Sequence, residues 1–262
     1  MFLTSTSDVP YGKVPVKIFD EDESDLLPQP GSSITVTVSA VFTPSLFYVT
    51  LPSKDLTLQQ LHDPLVRSQH CQKETLESMM ASMQEFYSNH PGYDGDLTLL
   101  APGEAMAAKV QGKWVRAKVI FTDVEHGLVQ VVLVDYGCVD WVSERDLREL
   151  GLQFLHLTPQ AIECCLVDLE PPNETCRWSE ETCKHFAEMV KGKTLLAWVK
   201  HRYPSGKIGI VLLDTSEKRN INVNQQLEDS GLAHHPVAVR TVETYDKSLA
   251  IDDGHRLCFM PA

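Results

Sequence analysis

Lys113 to Leu150 reads KWVRAKVIFTDVEHGLVQVVLVDYGCVDWVSERDLREL, and the fold is decided there. Apolar and polar residues alternate through KWVRAKVIF (113–121), LVQVVLVDY (128–136) and CVDWV (138–142). That two-residue period belongs to strands with one buried face. Glu125-His126-Gly127 separates the first two runs and supplies a turn. EAMAAKV (104–110) precedes them across a break at Gln111-Gly112. Short strands at this spacing predict a small, strongly bent antiparallel barrel, which leaves no exposed edge. Val134-Asp135-Tyr136-Gly137 forms the turn at its centre.

On the N-terminal side, ITVTVSAVF (34–42) and LFYVTL (46–51) read as a hairpin about Thr43-Pro44-Ser45. A helix over 74–88 follows, with Leu76, Met79, Met80, Met83 and Phe86 at helical spacing. A Met-rich stripe serves either an adaptable groove or ordinary core packing, and packing is the simpler reading. His90-Pro91-Gly92 ends this helix. On the C-terminal side, AIECCLVDL (161–169) is a strand closed by Pro171-Pro172. Ser179 caps a helix with Cys183, Phe186, Ala187 and Val190 on one face. TLLAWVKHRY (194–203) and KIGIVLLDT (207–215) form a hairpin about Pro204-Ser205-Gly206. NVNQQLEDSGLA (222–233) reads as a cap, a short helix and a stop at Gly231. The economical architecture is mainly β. One five-stranded barrel is built from 34–52 plus 161–233, the second barrel is inserted into it, and the helix bridges the two. Residues 1–31 carry Asp20-Glu21-Asp22-Glu23 and are expected to be an acidic, disordered leader. Residues 236–262 show no sustained period and are expected to be a loosely attached tail.

The 262 residues are 43% hydrophobic, enough for two modest cores. The net charge of -13 argues against a DNA-binding face, because affinity for phosphates comes from Lys and Arg. Excess acid serves cationic partners or solubility. The seven cysteines are irregularly spaced. The N-terminus lacks a basic start and a long apolar run, and no stretch approaches a membrane helix. These features predict a reduced, intracellular, soluble protein with no membrane partner. Cys176, Cys183 and His185 come nearest to a metal cluster, but their spacing matches no zinc pattern. No metal and no cofactor is expected. His234-His235 brings no third ligand with it.

GKWVRAKV, VQVVLVDYG and DLREL together resemble the Tudor-domain pattern. In that pattern a Trp-x-Arg-Ala strand is followed by a Val-Asp-Tyr-Gly-Asn turn and a Leu-Arg-x-Leu end. The flanks VFTPSLFYVTL, FLHLTPQAIECCLVDLEP and VLLDTSEKRNINVNQQLEDSGLA resemble the rest of the extended form. The resemblance implies a Tudor barrel inserted into a staphylococcal-nuclease-like, OB-type barrel over residues 32–235. Within it, 32–90 would hold the first part and the linker helix, 92–150 the Tudor core, and 151–235 the remainder. Members of the family bind arginine-rich tails of PIWI proteins, often symmetrically dimethylated. They act as scaffolds in germ-cell granules of the small-RNA pathway, so a cytoplasmic germ-granule location is implied. Their ligand sits in an aromatic cage, where cation–π contacts are worth about 0.5–2 kcal/mol each and an Asn orients the head group.

Carried over residue by residue, the cage positions are Val110, Val115, Leu133, Tyr136 and Cys138. Only Tyr136 keeps the family's residue type, so the implied cage is degenerate and its binding should depend little on methylation. Trp114, Asp135 and Trp141 are candidate supports. Trp114 is expected in the barrel core, and Asp135 is expected to fix the adjacent loop. Trp141 lies on the opposite strand face from position 138 and is expected to pack in a core or to offer a substitute aromatic surface. Lys200, Arg202, Tyr203 and Lys207 form a local basic patch with a ring to stack a base. They leave single-stranded RNA as an alternative ligand, beside the plainer reading of a solvated hairpin tip. A purely architectural role is the third reading. Asp168, Asp214 and Glu228 are scattered among structural motifs, so no catalytic set is expected.

Overall fold

The structure is a computed structural model, and it describes residues 27–52, 75–88, 99–155, 157–172, 177–216, 220–236 and 257–258. The acidic leader up to residue 26, the His90-Pro91-Gly92 stop and most of the tail lie outside the described residues.

Two β units share the chain. The first begins with β1 (Ser33–Thr43) and β2 (Leu46–Thr50), paired as the expected hairpin. It resumes with β8 (Ile162–Leu166), α2 (Glu180–Val190), β9 (Thr194–Arg202), β10 (Ile208–Asp214), β11 (Ile221–Asn222) and α3 (Val223–Asp229). β1 pairs β2 and β9, β2 pairs β8, β8 runs parallel to β10, and β10 pairs β9. The ring β1-β2-β8-β10-β9 therefore closes on itself. Alternation places Val36, Val38, Phe47, Val49, Ile208, Ile210 and Leu212 inside it. Phe186 of α2 and Leu227 of α3 pack into the same cluster, and Phe186 meets Phe47 edge-on at 5.1 Å. Both helices start where the sequence signals them. Ser179 Oγ accepts from Thr182 N at 3.1 Å, and Asn222 Oδ1 accepts from Gln225 N at 3.3 Å.

The second unit is a five-stranded sheet in the order β6-β5-β4-β3-β7. Its strands are β3 (Ala105–Val110), β4 (Lys113–Asp123), β5 (Leu128–Leu133), β6 (Val139–Ser143) and β7 (Leu147–Glu149). Met106, Ala108, Val115, Ala117, Val119, Val129, Val131 and Leu147 fill its concave side. α1 (Leu76–Ser88) lies against the outside, with Met79, Met83 and Tyr87 buried. Its methionine stripe is thus core. Trp114 belongs to this outer layer and not to the barrel interior, which corrects the expectation for it. Its backbone N and O both bond the Gln84 side chain, Tyr87 stacks at 5.2 Å, and the Arg148 guanidinium lies 4.9 Å from its ring. Parity explains the outcome, because Val115 and Ala117 take the inward positions of β4.

The tail contributes β12 (Leu257–Cys258), which pairs with β1 through Ala40 and Val41.

Arg116 and Asp135 hold the second sheet to the return connection. Both side chains are buried, at 4% and 0% exposure. Arg116 Nε donates to Asp135 Oδ2 at 3.0 Å, and Nη2 donates to Oδ1 at 2.6 Å. The remaining donors reach the carbonyls of Phe154 at 3.0 Å, Leu157, and Thr158 at 3.1 Å. Asp135 Oδ1 also accepts from Gln160 N at 3.3 Å. Asp135 thus fixes the adjacent loop. Removing one member of such a pair strands a buried charge. Asp135→Ala is expected to lower unfolding free energy by about 3–5 kcal/mol in urea titration, with the slope unchanged.

Candidate functional site

The turn Val134-Asp135-Tyr136-Gly137 ends β5, where Gly137 adopts φ +78°. An added Cβ there would lie 2.0 Å from Tyr48 Cγ, so the Tyr48 ring rests directly on the glycine. Only glycine tolerates both the left-handed backbone and that contact. Tyr136 O accepts from Ser39 Oγ at 2.7 Å, a bond between residues 97 positions apart.

The five cage-equivalent positions come together here, in one apolar cluster. Val110 is 5% exposed, Val115 1%, Leu133 0%, Tyr136 6% and Cys138 4%. Ala40, Phe42 and Leu46 of the β1–β2 hairpin belong to the same cluster, with Tyr48 and the α1 residues Leu76 and Met80 packed against it. The turn is therefore roofed by the other barrel. Burial, and then the Asp135 and Glu77 carboxylates, push the Tyr136 phenol up to about 12. Cys164, Cys165 and Cys183 are free. Cys138 Sγ lies 4.0 Å from the carbonyls of Ser39 and Tyr136.

A polar seam runs beside the roof. Tyr48 OH lies 3.5 Å from Glu163 Oε2. Burial raises the Glu163 carboxyl above its usual range, against opposing pulls from Lys207 and the Tyr48 hydroxyl. Burial also raises the Tyr48 phenol and the thiols of Cys164 and Cys165.

The RNA-candidate residues divide between two environments. Lys200 Nζ sits 3.2 Å from the ring centre of Trp198, an exposed aromatic residue that sequence reasoning missed. Lys207 Nζ lies 5.5 Å from the Tyr203 ring and faces Glu163 and Cys165 in the seam. Arg202 lies opposite Ile208 at the end of the hairpin. Strand alternation alone marks the outward position of Trp198, but not the cation seated on it.

Trp141 is 37% exposed and packs edge-to-face with Phe121. Core packing was the expected role, and the exposure corrects it. Asp214 is engaged by Lys193 at 2.7 Å and by Ser216, which lower its carboxyl to about 2. His234 and His235 sit 3.7 Å and 3.6 Å from Glu170 and Glu228. Among the described residues no group of three or more His, Cys, Asp or Glu is placed to hold a metal, and no helix is long and apolar enough to cross a membrane.

Residues 65–168 match the family model for the Tudor domain. The chain is 26% identical over 232 residues to human RING finger protein 17, covering 87% of this chain and 13% of that protein. It is 28% identical over 206 residues to human Tudor domain-containing protein 5, covering 77% of this chain and 19% of the relative. It thus spans less than a fifth of these relatives' lengths. A solved extended Tudor domain, the third in mouse TDRD1, superposes with a TM-score of 0.66 at 25% identity. The match covers 80% of this chain and 97% of that one, and the mouse domain holds a MILI peptide containing dimethylarginine.

The raised Glu163 carboxyl carries a pH signature. A carboxyl that binds its proton more tightly when folded contributes stability below its ordinary value of 4.5 and loses it as pH rises through the folded value. Glu163→Gln removes this dependence. Its melting temperature relative to wild type is expected to rise between about pH 4 and about pH 8, and a pH-independent difference would contradict the burial argument.

Proposed function

We propose a function for this chain, which carries an extended Tudor domain, as a non-catalytic interaction adaptor that engages arginine-rich segments with little regard to their methylation. The observation that carries the reading is the state of the cage positions. Four of the five hold Val, Val, Leu and Cys, and the fifth, Tyr136, is buried beneath the β1–β2 hairpin. Methyl groups on a guanidinium gain affinity by apolar contact and cation–π attraction at open aromatic faces. With three of those faces replaced by aliphatic side chains, the methylated form has little extra to gain. The net charge of -13 still favours a cationic partner.

The domain unit in this reading is 32–235. The partner is the arginine-rich tail of a PIWI-type protein or another basic protein surface. The place is a cytoplasmic germ granule, where the adaptor serves the small-RNA pathway as a scaffold. Support for that setting comes from the Tudor-domain relatives and from the mouse domain that holds a MILI peptide.

A second reading, single-stranded RNA on the β9–β10 hairpin, is favoured by the exposed Trp198 with Lys200 against it. Tyr203 weakens it, because the Lys207 ammonium already lies 5.5 Å from the ring that would stack a base.

Two titrations separate the readings. Unmethylated and symmetrically dimethylated Arg-Gly peptides are expected to bind within about twofold of each other, because the cation–π increment at three of the positions is gone. A strong preference for the methylated peptide, abolished by Tyr136→Ala, would overturn the degenerate cage. Single-stranded RNA is expected to bind weakly, with a log–log salt slope of about one or less. A steep slope that falls in Lys200→Ala and Arg202→Ala would favour the RNA reading instead.

A further inference from the structure

Trp141 stands on the face of the second sheet that turns away from its core. The register sets Phe121, Gln130 and Trp141 side by side on β4, β5 and β6. The two rings meet at 6.0 Å and 87°, a perpendicular aromatic corner, with Gln130 buried between their positions. The next row on the same face is Asp123, Leu128 and Ser143, about 7 Å along the strands. Val124, at the edge of this row, is 51% exposed.

Carboxylates surround the corner. Asp123 accepts from His126 N at 3.2 Å and contacts His126 Nδ1 at 2.8 Å, and this contact keeps its carboxyl below the usual range. The Glu144 carboxylate lies against Gly127, and Glu125 is exposed on the same turn. Asp140, on the opposite face of β6, is not one of them, and its Oδ1 accepts from Trp141 N at 2.8 Å. The basic groups nearby are His126, Arg145 and, one row on the opposite side, Lys118. The exposed indole thus stands near the carboxylates of Asp123, Glu125 and Glu144 as well as these basic groups, in a chain whose net charge is -13.

The other exposed tryptophan makes an instructive contrast. Trp198 already carries the Lys200 ammonium on its ring, so an incoming cation would have to displace it. Trp141 is met by Phe121 and by no such cation among the described residues.

We infer that the Trp141–Phe121 corner is an arginine-binding seat on the outer face of the second sheet, distinct from the roofed turn. Its occupant is the guanidinium of a basic Arg-Gly segment. The planar head group stacks on the indole, while neighbouring arginines meet the Asp123 and Glu144 carboxylates. Arginine is preferred to lysine because its guanidinium is planar and weakly hydrated, so stacking costs less desolvation than for an ammonium. The inference deepens the adaptor reading and rests on it for the class of partner. It moves the contact from the cage positions to a surface that is open.

The test uses the whole chain with a synthetic Arg-Gly repeat peptide and a Lys-Gly peptide of equal length. On titration the Trp141 indole N–H resonance, assigned through Trp141→Phe, is expected to move. Calorimetry is expected to show about tenfold weaker binding for Trp141→Ala, the scale of one partly desolvated cation–π contact. Asp123→Asn with Glu144→Gln is expected to weaken binding and flatten its salt dependence. Thermal unfolding checks that each variant folds, and if Trp141→Ala does not, the indole shift in the wild-type chain decides. Peptide binding with an unmoved indole and an unaffected Trp141→Ala would overturn this seat and leave the adaptor reading standing. No binding of either peptide would overturn both. Equal affinity for the Lys-Gly peptide would reduce the seat to charge attraction and overturn it as an arginine site.

Discussion

The guanidinium of Arg116 has five N–H donors, and the protein supplies an acceptor for each. Two are the oxygens of Asp135 and three are the carbonyls of Phe154, Leu157 and Thr158. A buried ion pair is expensive to desolvate, and only complete hydrogen bonding offsets that cost. Completeness has a structural consequence. β4, the β5 turn and the returning chain at 154–158 can meet only in the one arrangement that satisfies every donor. That return leads into β8, and β8 pairs β2 and β10 of the other barrel. The position of the inserted sheet relative to its host is therefore specified by a polar node, while apolar burial supplies most of the cohesion.

Once the return is fixed, the β1–β2 hairpin falls on the Val134–Gly137 turn. Tyr48 rests on Gly137, Ser39 bonds the Tyr136 carbonyl, and Phe42 and Leu46 close over the aliphatic cluster. The identities at 110, 115, 133 and 138 suit this closure. Val, Val, Leu and Cys present no strongly polar group that the roof would leave unsatisfied. An open cage needs the opposite properties, with aromatic faces in contact with solvent and an amide free to bond the ligand. The two designs exclude each other at one turn, and here the residues and the packing agree on the closed one.

Much of this was legible in the sequence. The two-residue period located the barrel strands, and Ser179, Asn222 and Gly231 marked the ends of helices. The turn itself carried the family pattern. What stayed hidden has a common cause, which is that alternation assigns a residue to a face without saying what covers that face. Trp114 and Trp141 both occupy outward positions of the second sheet. α1 covers the first, and Trp141 is left more than a third exposed. The roof over Tyr136 comes from residues nearly a hundred positions away, which no local period reports. β12 is two residues long, too short to show a period at all.

An inserted barrel also distributes its surfaces unequally. One side of the second sheet is held by α1 through Trp114, Gln84 and Tyr87, and its central turn by the hairpin roof and the Arg116 node. These contacts are needed to fix the insertion, so the residues that make them cannot also yield to a ligand without loosening the two barrels. The outer positions of β4, β5 and β6 are different. Val132 packs with Val134 and Ala161 at one end of that face, anchoring it. The row carrying Phe121 and Trp141 lies beyond this anchor, and Trp141 is more than a third exposed there. A binding surface placed there leaves the node and the roof undisturbed when it is occupied. In the proposed adaptor role, a basic segment bound there would meet a rigid platform, with the energy of the contact retained as affinity instead of being spent on reopening the core.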